Sequence, residues 1–520
     1  MQASIEPPRH NLRLQPTRAR CSRRLLPRGA LAAETRSVMP LPGISGDGRI
    51  RKPLLEMNTL AYVSAFSLFL AWFTAPAAAQ RPPILSSEVR EFVAVDAPVV
   101  ALTSVRVIDG TGALPREDQT ILIRDRLIVS VGSADRVPVP EGAQVLKLAA
   151  HTVFPGIVGM HNHLGFGYDF NPRQDARLYL GAGVTTIRTA GTYEPYREIN
   201  LKREIDEGRS LGPRIHLTGP YLTGREAPNL RMAQISNPED GRRFVNHWAD
   251  EGVSWIKVYT RIRRQDLAAV IDQAHARGLR VTGHLCAVTA REAAELGIDN
   301  IEHGPTSTDF DPQKPPDVCP QGNYAVDPAS EPVVATIRAL VANNVAMTAT
   351  LAEAEAYEPR RPAADTRVFD FMSPGTLSAY RDFRAHFDSA PELGYLARAK
   401  AVFRAFVGAR GLLVAGIDPV LPGVLAGFAD QRNYELLVEA GFAAEQALQI
   451  MTANGAKLLG VDSVVGTLEP GKIADLVVIK GDPATDPTAI REVVFVFKDG
   501  IGYDSPRLIE SVRRELRRQE

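Results

Sequence analysis

The stretch "FPGIVGMHNHL" (residues 154–164) is an apolar run that stops abruptly on two histidines, His161 and His163. Alternate residues of a β-strand point to the same side, so both imidazoles would reach one point beyond the strand. Two buried histidines without polar partners would be costly, whereas neutral imidazole is a common ligand of zinc. The spacing therefore predicts a metal site at the end of a buried strand.

Short apolar segments of the same kind recur along the middle of the chain, with helix-like stretches such as "DLAAVIDQAHARG" (266–278) between them. Seven further strands are predicted, at 184–191, 215–223, 255–260, 281–285, 300–304, 345–351 and 412–418. Eight strand–helix repeats in this length are typical of a (β/α)8 barrel, here spanning 154–461. The alternative is an open, doubly wound sheet.

The segments on both sides of this region have a different sequence pattern, in which alternating β-branched residues are interrupted by Asp-Gly and Gly turns. Such segments lie at 98–153 and at 462–505. They predict one small β-sandwich domain built from both ends of the mature chain, beside the barrel. The expected fold class is therefore α/β.

The N-terminal segment differs again in composition. Residues 1–56 carry eleven Lys or Arg against four Asp or Glu, which indicates a disordered basic leader or a start codon assigned too early, with Met39 or Met57 as the true start. Residues 57–79 combine an apolar run with a small-residue cleavage site ending at Ala79, the pattern of a secretory signal peptide. We expect export to the periplasm or secretion; the alternative is a membrane anchor.

The charge of the chain limits the binding partners to be expected, and its few cysteines leave their own pairing open. The 520-residue chain has no net formal charge, and the part after the basic leader is mildly acidic, so nucleic-acid binding is not expected. No stable membrane partner is expected either, while a homo-oligomer is left open. Cys286 and Cys319 would either pair after export or remain two buried thiols.

Candidate catalytic groups lie where the predicted strands end, which is where barrel enzymes carry their active sites. These strand-end residues are His161, His163, Lys257, His284, His303 and Asp418. Taken singly, two of them have a plainer interpretation. Lys257 could be a surface lysine, and Asp418 could be a helix N-cap before Pro419.

Several motifs together resemble the amidohydrolase superfamily of metal-dependent hydrolases. They are "PGIVGMHNHL", "WIKVYT", "VTGHL", "NIEHG" and "VAGID", followed by "EQALQIMTANGAKLLGV" and "GTLEPGKIADLVVI". The resemblance covers residues 98–505, nearly all of the mature chain. The chain departs from the usual pattern at Gly159, Thr189 and Ile417, none of which is a metal ligand.

The resemblance implies two divalent metal ions, with Zn²⁺ expected. His161, His163 and Asp418 would bind one metal, and His284 and His303 would bind the other. Lys257 would be carboxylated to N6-carboxylysine and bridge the two. Asp418 would also move a proton during catalysis, while a metal-bridging hydroxide attacks a carbonyl.

The function implied is hydrolysis of an amide C–N bond in a small substrate such as a dipeptide or an N-acyl amino acid. Tyr259 and Arg188 are candidate substrate-binding residues, with a rim aromatic and a packing arginine as their respective alternatives. Two other functions stay open: a one-metal deaminase or cyclic-imide hydrolase, and a non-catalytic exported ligand-binding barrel.

Overall fold

The computed structural model describes residues 83–518 except 167–169, 306, 312, 321–326, 362–364 and 393. The predicted leader (1–56) and signal peptide (57–79) therefore lie outside the described residues. Within the described part, no helix has the length and hydropathy needed to cross a bilayer.

The described residues form nineteen strands. They are β1 Val93–Val95, β2 Val99–Val107, β3 Arg116–Arg124, β4 Leu127–Ser133, β5 Gln144–Lys147, β6 His151–Pro155, β7 Ile157–Asn162, β8 Val184–Thr189, β9 Arg214–His216, β10 Thr218–Thr223, β11 Ala233–Gln234, β12 Trp255–Val258, β13 Arg280–Gly283, β14 Asn300–Glu302, β15 Ala346–Ala349, β16 Leu413–Ala415, β17 Leu476–Lys480, β18 Val493–Lys498 and β19 Ile501–Asp504.

Fourteen α-helices accompany them within the same residues. They are α1 Ser87–Arg90, α2 Pro172–Gly181, α3 Pro195–Asp206, α4 Pro238–Asp250, α5 Arg264–Ala276, α6 Ala290–Glu295, α7 Glu331–Ala342, α8 Leu351–Ala356, α9 Pro374–Asp388, α10 Tyr395–Gly408, α11 Phe428–Glu439, α12 Ala444–Met451, α13 Ala453–Leu459 and α14 Ser505–Arg517. Three short 3₁₀ helices lie at Ser307–Phe310, Thr366–Phe371 and Pro487–Arg491.

One nine-stranded sheet joins the two flanking parts of the described chain. Its order is β1-β19-β18-β17-β6-β2-β3-β4, with β5 paired to β2. β17 runs antiparallel to β6, so that Leu476 faces Pro155 just before β7 begins. An apolar core of its own, including Leu102, Ile121 and Phe497, packs within this region. The two-layered sandwich and its boundaries stay a prediction.

Between these flanks, parallel strands alternate with helices, and the predicted α/β class is confirmed. The strands pair as two parallel sheets, β7-β8-β9 and β11-β10-β12-β13-β14-β15-β16. Each of the eight segments predicted above contains at least one of these strands. Helices between them begin at recognisable caps: Asn171 and Gln174 form a capping box on α2, and Thr289 and Glu292 form another on α6.

The strands β7 and β16 approach each other closely. The backbone N–H groups of Ile417 and Asp418, just after β16, both donate to the carbonyl oxygen of His161 at 3.0 Å. Gly416 permits this approach, because a Cβ atom there would lie 2.3 Å from the backbone nitrogen of His161. Closure of all eight strands into one barrel stays a prediction.

Two further features surround the strand ends. The long segment between β15 and β16 contains α8, α9 and α10. A disulfide joins Cys286, two residues after His284, to Cys319 in the loop that follows β14. Of the two states left open for these cysteines, the structure shows the paired one.

Candidate metal centre

The paired histidines of the opening motif lie at the end of β7 as the spacing predicts. His161 and His163 are both almost completely buried, with 2% and 1% of their surface exposed. They point the same way because one residue, Asn162, separates them along an extended strand. Their ring centroids lie 5.4 Å apart.

Three imidazoles converge on one carboxylate. The Nε2 atoms of His161, His163 and His303 lie 3.4, 3.1 and 3.5 Å from the carboxylate oxygens of Asp418. Burial raises the pKa of Asp418, but the surrounding imidazoles outweigh burial and hold that pKa well below its usual range. The centre therefore contains an ionised carboxylate encircled by nitrogen donors.

The Nδ1 atom of each of these three rings, which is not the nitrogen near Asp418, has a hydrogen-bond acceptor of its own. The Nδ1 atoms of His161, His163 and His303 contact Glu302 Oε2 at 2.8 Å, the Gly191 carbonyl oxygen at 3.0 Å and Thr350 Oγ1 at 2.8 Å. These acceptors favour the tautomer with the proton on Nδ1, which leaves Nε2 free for a metal.

The remaining predicted ligands lie beside this cluster. The ring of His284 lies 4.7 Å from that of His303, and burial lowers the pKa of His284 to about 3. Burial likewise lowers the pKa of His163 and of His303, so these rings are neutral at pH 7. Neutral imidazoles are the form that binds divalent metals.

Lys257 lies inside the molecule and not at its surface. It is 1% exposed, and its Nζ atom is 3.7 Å from Glu302 Oε1. Burial lowers the pKa of Lys257, despite the opposing effects of Glu302 and Asp418. A buried lysine with a lowered pKa has the neutral amine that carbamate formation requires.

Two of the predicted ligands adopt a backbone conformation that is unusual for their residue types. The φ angles of His303 and Asp418 are +63° and +45°, in the left-handed region. Such conformations cost about 1 kcal/mol or more for residues other than glycine and concentrate at functional sites. Here they occur just after β14 and β16, where each side chain joins the cluster.

The residues present fit a metal. His161, His303 and Asp418 each offer a ligand atom, and these atoms lie within 4.8 Å of one another. The Nε2 atom of His303 is buried and has no hydrogen-bond partner. A cation between the three groups would satisfy that atom and neutralise Asp418.

Buried groups that sequence reasoning did not single out support this cluster. Glu302 accepts hydrogen bonds from Thr282 and Arg188 at 2.5 and 2.6 Å, as well as from His161. Burial raises the pKa of Glu302, but Arg188 and Lys257 outweigh it and hold it well below its usual range. The signal available in the sequence was a charged residue in the short strand "NIE", directly before His303.

Tyr221 is a second such residue. It lies on β10 opposite Lys257, and its hydroxyl oxygen is 3.3 Å from His163 Nε2. A tyrosine in "TGPYLT" has no sequence signal that distinguishes it from a core aromatic.

The two candidate substrate-binding residues occupy different places. The ring of Tyr259 lies 4.9 Å from that of His284, beside the cluster. Arg188 is completely buried, donates to the Met160 carbonyl oxygen and to Glu302, and lies over the ring of Trp255. Of the two roles open for Arg188, this position favours packing and support over substrate contact.

Comparison with known proteins agrees with this geometry. Residues 403–501 match the model of the amidohydrolase family. The fold is similar to a Xaa-Pro dipeptidase with bound methionine, at 20% identity and a TM-score of 0.61 over 78% of this chain and all of that one. It is also similar to molinate hydrolase, at 18% identity and a TM-score of 0.60 over 79% of this chain and 96% of that one.

Residues 403–501 therefore match the amidohydrolase family, and the similar structures share the fold of this chain. These two findings confirm the predicted resemblance to the amidohydrolase superfamily. At these identities the structural neighbours show a shared fold and do not identify the substrate of this chain.

Curated relatives match a smaller part of this chain. An uncharacterised protein of Mycobacterium tuberculosis is 30% identical over 172 residues, which is 30% of this chain and 46% of that protein. The enamidase of Eubacterium barkeri is 26% identical over 214 residues, 36% of this chain and 52% of the enamidase. The chain thus spans about half the length of the curated relatives that it matches.

Proposed function

We propose that this protein is a metal-dependent hydrolase that cleaves the amide C–N bond of a small substrate, such as an N-acyl amino acid or a dipeptide. The observation that carries the proposal is the convergence of His161, His163 and His303 on Asp418. The resemblance to the amidohydrolase superfamily and the names of similar proteins, among them a dipeptidase and an enamidase, support it. The parallel strands that hold these residues are proposed to close into an eight-stranded barrel.

The donor set suits two divalent cations, with Zn²⁺ expected. His161, His163 and Asp418 would hold one, His284 and His303 would hold the other, and carboxylated Lys257 would contribute to both. When bound, such cations supply a water of lowered pKa and polarise the carbonyl of the substrate.

Lys257 would serve as a ligand only after its amine adds to carbon dioxide and releases a proton. As an ammonium it would repel both cations, whereas the carbamate is an anionic oxygen ligand. The nearby charges of Arg188 and Glu302 cancel each other. Two divalent cations would then be opposed by three negative groups, namely the carbamate, Asp418 and a hydroxide, so the site would keep a small net positive charge. Such a site stabilises the anionic transition state of acyl transfer.

Asp418 has the position of a proton carrier. Its carboxylate lies between three imidazoles, and in the metal-loaded protein it would accept a proton from the attacking water. The same carboxyl group would then donate that proton to the departing amine.

The test combines metal content with amide hydrolysis. We expect about two metal ions per chain, activity on a panel of N-acyl amino acids and dipeptides, and loss of activity with a chelator. Lys257→Ala should lose bound metal and activity together, whereas the surface variant Lys202→Ala should keep both. Bicarbonate labelled with ¹³C should give a carbamate NMR signal in the wild type that is absent from Lys257→Ala.

Other outcomes would contradict the proposal. One metal per chain with deaminase or cyclic-imide hydrolase activity would favour that alternative. Two bound metals with no hydrolysis of any amide would favour a ligand-binding barrel. Full activity in Lys257→Ala would exclude the carbamate.

We also propose that the protein is exported and cleaved after Ala79. The signal-like sequence 57–79 supports this, as does the Cys286–Cys319 disulfide, because disulfides persist in oxidising compartments. N-terminal sequencing of the exported protein should find Gln80 first. A mature chain that begins upstream of residue 57 would contradict the cleavage.

A further inference from the structure

A cleft opens directly beside the candidate metal centre, on the His163 side. The cleft is partly open to solvent. Three segments form its walls: the loop after β7, the loop 419–426 between β16 and α11, and the residues from Phe371 to the start of α9. His163 belongs both to the cleft and to the metal centre, so a group bound here would lie next to the reacting bond.

The walls of the cleft are apolar and closely packed around its base. The ring of Phe166 lies 4.6 Å from that of His163 and forms one side. Phe371 and Leu425 also line the cleft and are buried, while Leu421 is only half-buried. Apolar walls of this kind suit an aromatic or branched aliphatic group.

The charge of the cleft excludes an anionic occupant. None of its described lining residues is a lysine or an arginine. Asp175 lies at its base, where Oδ2 accepts a hydrogen bond from the Gly165 backbone at 2.6 Å. Burial raises the pKa of Asp175 to about 7, so it carries part of a negative charge at neutral pH. A substrate carboxylate here would be desolvated, unpaired and repelled.

We propose that this cleft is the subsite for the acyl group of the amide substrate and that it selects an uncharged, apolar acyl group. In an N-acyl amino acid, the acyl side carries no charge and the amino-acid side carries the carboxylate, so only the acyl side suits these walls. The inference rests on the proposed amide hydrolysis and narrows its substrate class to amides with an apolar acyl group.

The test uses compounds that differ only on the acyl side. N-acetyl-alanine and N-benzoyl-alanine differ in the size and apolar surface of the acyl group. With the metal-loaded protein, we expect kcat/KM to be at least about tenfold higher for the benzoyl than for the acetyl compound.

Two variants on α9 connect the preference to the cleft. Thr376 lines the cleft, and Thr376→Phe should reduce the benzoyl-to-acetyl ratio to less than about threefold while acetyl turnover is kept. Ala385→Phe adds a ring of the same kind on the exposed face of the same helix and should keep the wild-type ratio. Equal kcat/KM for all acyl groups in the wild type, or a ratio unchanged by Thr376→Phe, would overturn the proposal.

Failure of the proposed function can be told apart from failure of this subsite. If none of the compounds is hydrolysed, the hydrolase proposal fails, and their dissociation constants can be measured by calorimetry. Tighter binding of the benzoyl compound that Thr376→Phe abolishes would still support the subsite. Equal binding of acetyl and benzoyl compounds would refute it.

Discussion

Glu302 shows how much one residue contributes to the candidate centre. Its two carboxylate oxygens accept hydrogen bonds from His161, Arg188 and Thr282, and Lys257 lies 3.7 Å away. The carboxylate therefore orients a predicted metal ligand and balances the buried guanidinium group of Arg188. Partners of this kind fix the tautomer and orientation of ligating histidines.

We expect Glu302→Gln to weaken metal binding about 10–100-fold, because the amide is a poorer acceptor for His161 Nδ1. It should also lower the free energy of unfolding by about 2–4 kcal/mol, since Arg188 loses its buried partner. Calorimetric metal titration and urea unfolding measure the two effects. Asp266→Asn removes another buried carboxylate, paired with Arg263, and should reduce stability with metal affinity intact. Unchanged metal affinity in Glu302→Gln would contradict the assigned role.

Tyr221 is the other residue whose removal should affect the centre. Its hydroxyl lies 3.3 Å from the nitrogen of His163 that would bind a metal, so with a cation in place that hydroxyl can donate to a reacting oxygen. Tyr221→Phe should lower kcat/KM about 10–100-fold with metal content unchanged. Tyr434→Phe loses a buried hydroxyl bonded to the Pro483 carbonyl oxygen and should keep kcat/KM. A Tyr221→Phe enzyme with wild-type kcat/KM would exclude the donor role.

At the scale of elements, the positions of the ligands depend on how closely β16 approaches β7. Gly416 stands where the two backbones meet, and the amides that follow it donate to the carbonyl oxygen of His161. A side chain at this position would displace one strand from the other. His161 and Asp418 lie on opposite sides of this contact, so their separation depends on it.

Gly416→Ala should therefore reduce metal affinity by at least about tenfold and destabilise the protein by about 1–3 kcal/mol, because overpacking moves the strands apart. Metal titration and thermal unfolding check this. Gly408→Ala, at the exposed end of α10 with open space around it, should leave metal affinity unchanged and stability equal or higher. A Gly416→Ala protein that binds metal as tightly as the wild type would contradict this prediction, because it would show that metal binding does not depend on the close approach of β7 and β16.

At the scale of the whole molecule, buried acids make the stability depend on pH. Glu198 on α3 is almost completely buried beside the hydroxyls of Thr189 and Thr192. Burial raises its pKa to about 8, far above the ordinary value for glutamate. The folded state therefore keeps a proton that the unfolded chain loses, so this contribution to stability is complete at low pH and is lost as the pH rises through about 8.

Metal-free protein should thus become less stable between pH 5 and pH 9, by up to about 1.4 kcal/mol per pH unit from Glu198. Glu198→Gln cannot ionise and should flatten this dependence, so that the variant exceeds the wild type in stability at pH 9. Urea unfolding with a chelator present at several pH values measures it. Glu331→Gln, an exposed substitution on α7, should follow the wild-type curve. Parallel curves for Glu198→Gln and the wild type would contradict the prediction.

Local patterns in the sequence determined the α/β alternation and the positions of the six candidate ligands. The alternation of His residues in "HNH" and the ends of short apolar strands can both be read from a few neighbouring residues. The geometry of an extended strand then determines on which side each of its side chains lies. The resemblance to the amidohydrolase superfamily followed from the same motifs. The proposed cleavage after Ala79 and the division into domains rest on the sequence alone.

Only the tertiary structure decided which groups meet across strands. Glu302 reaches His161 from 141 residues away, Tyr221 reaches His163, and Arg188 turns inward to Glu302 instead of toward a substrate. Such contacts depend on strand register and on close approaches such as that at Gly416, neither of which any local pattern encodes. The pairing of Cys286 with Cys319 and the apolar cleft beside His163 likewise arise from segments that are distant in sequence, because loops meet only after the strands that carry them have packed.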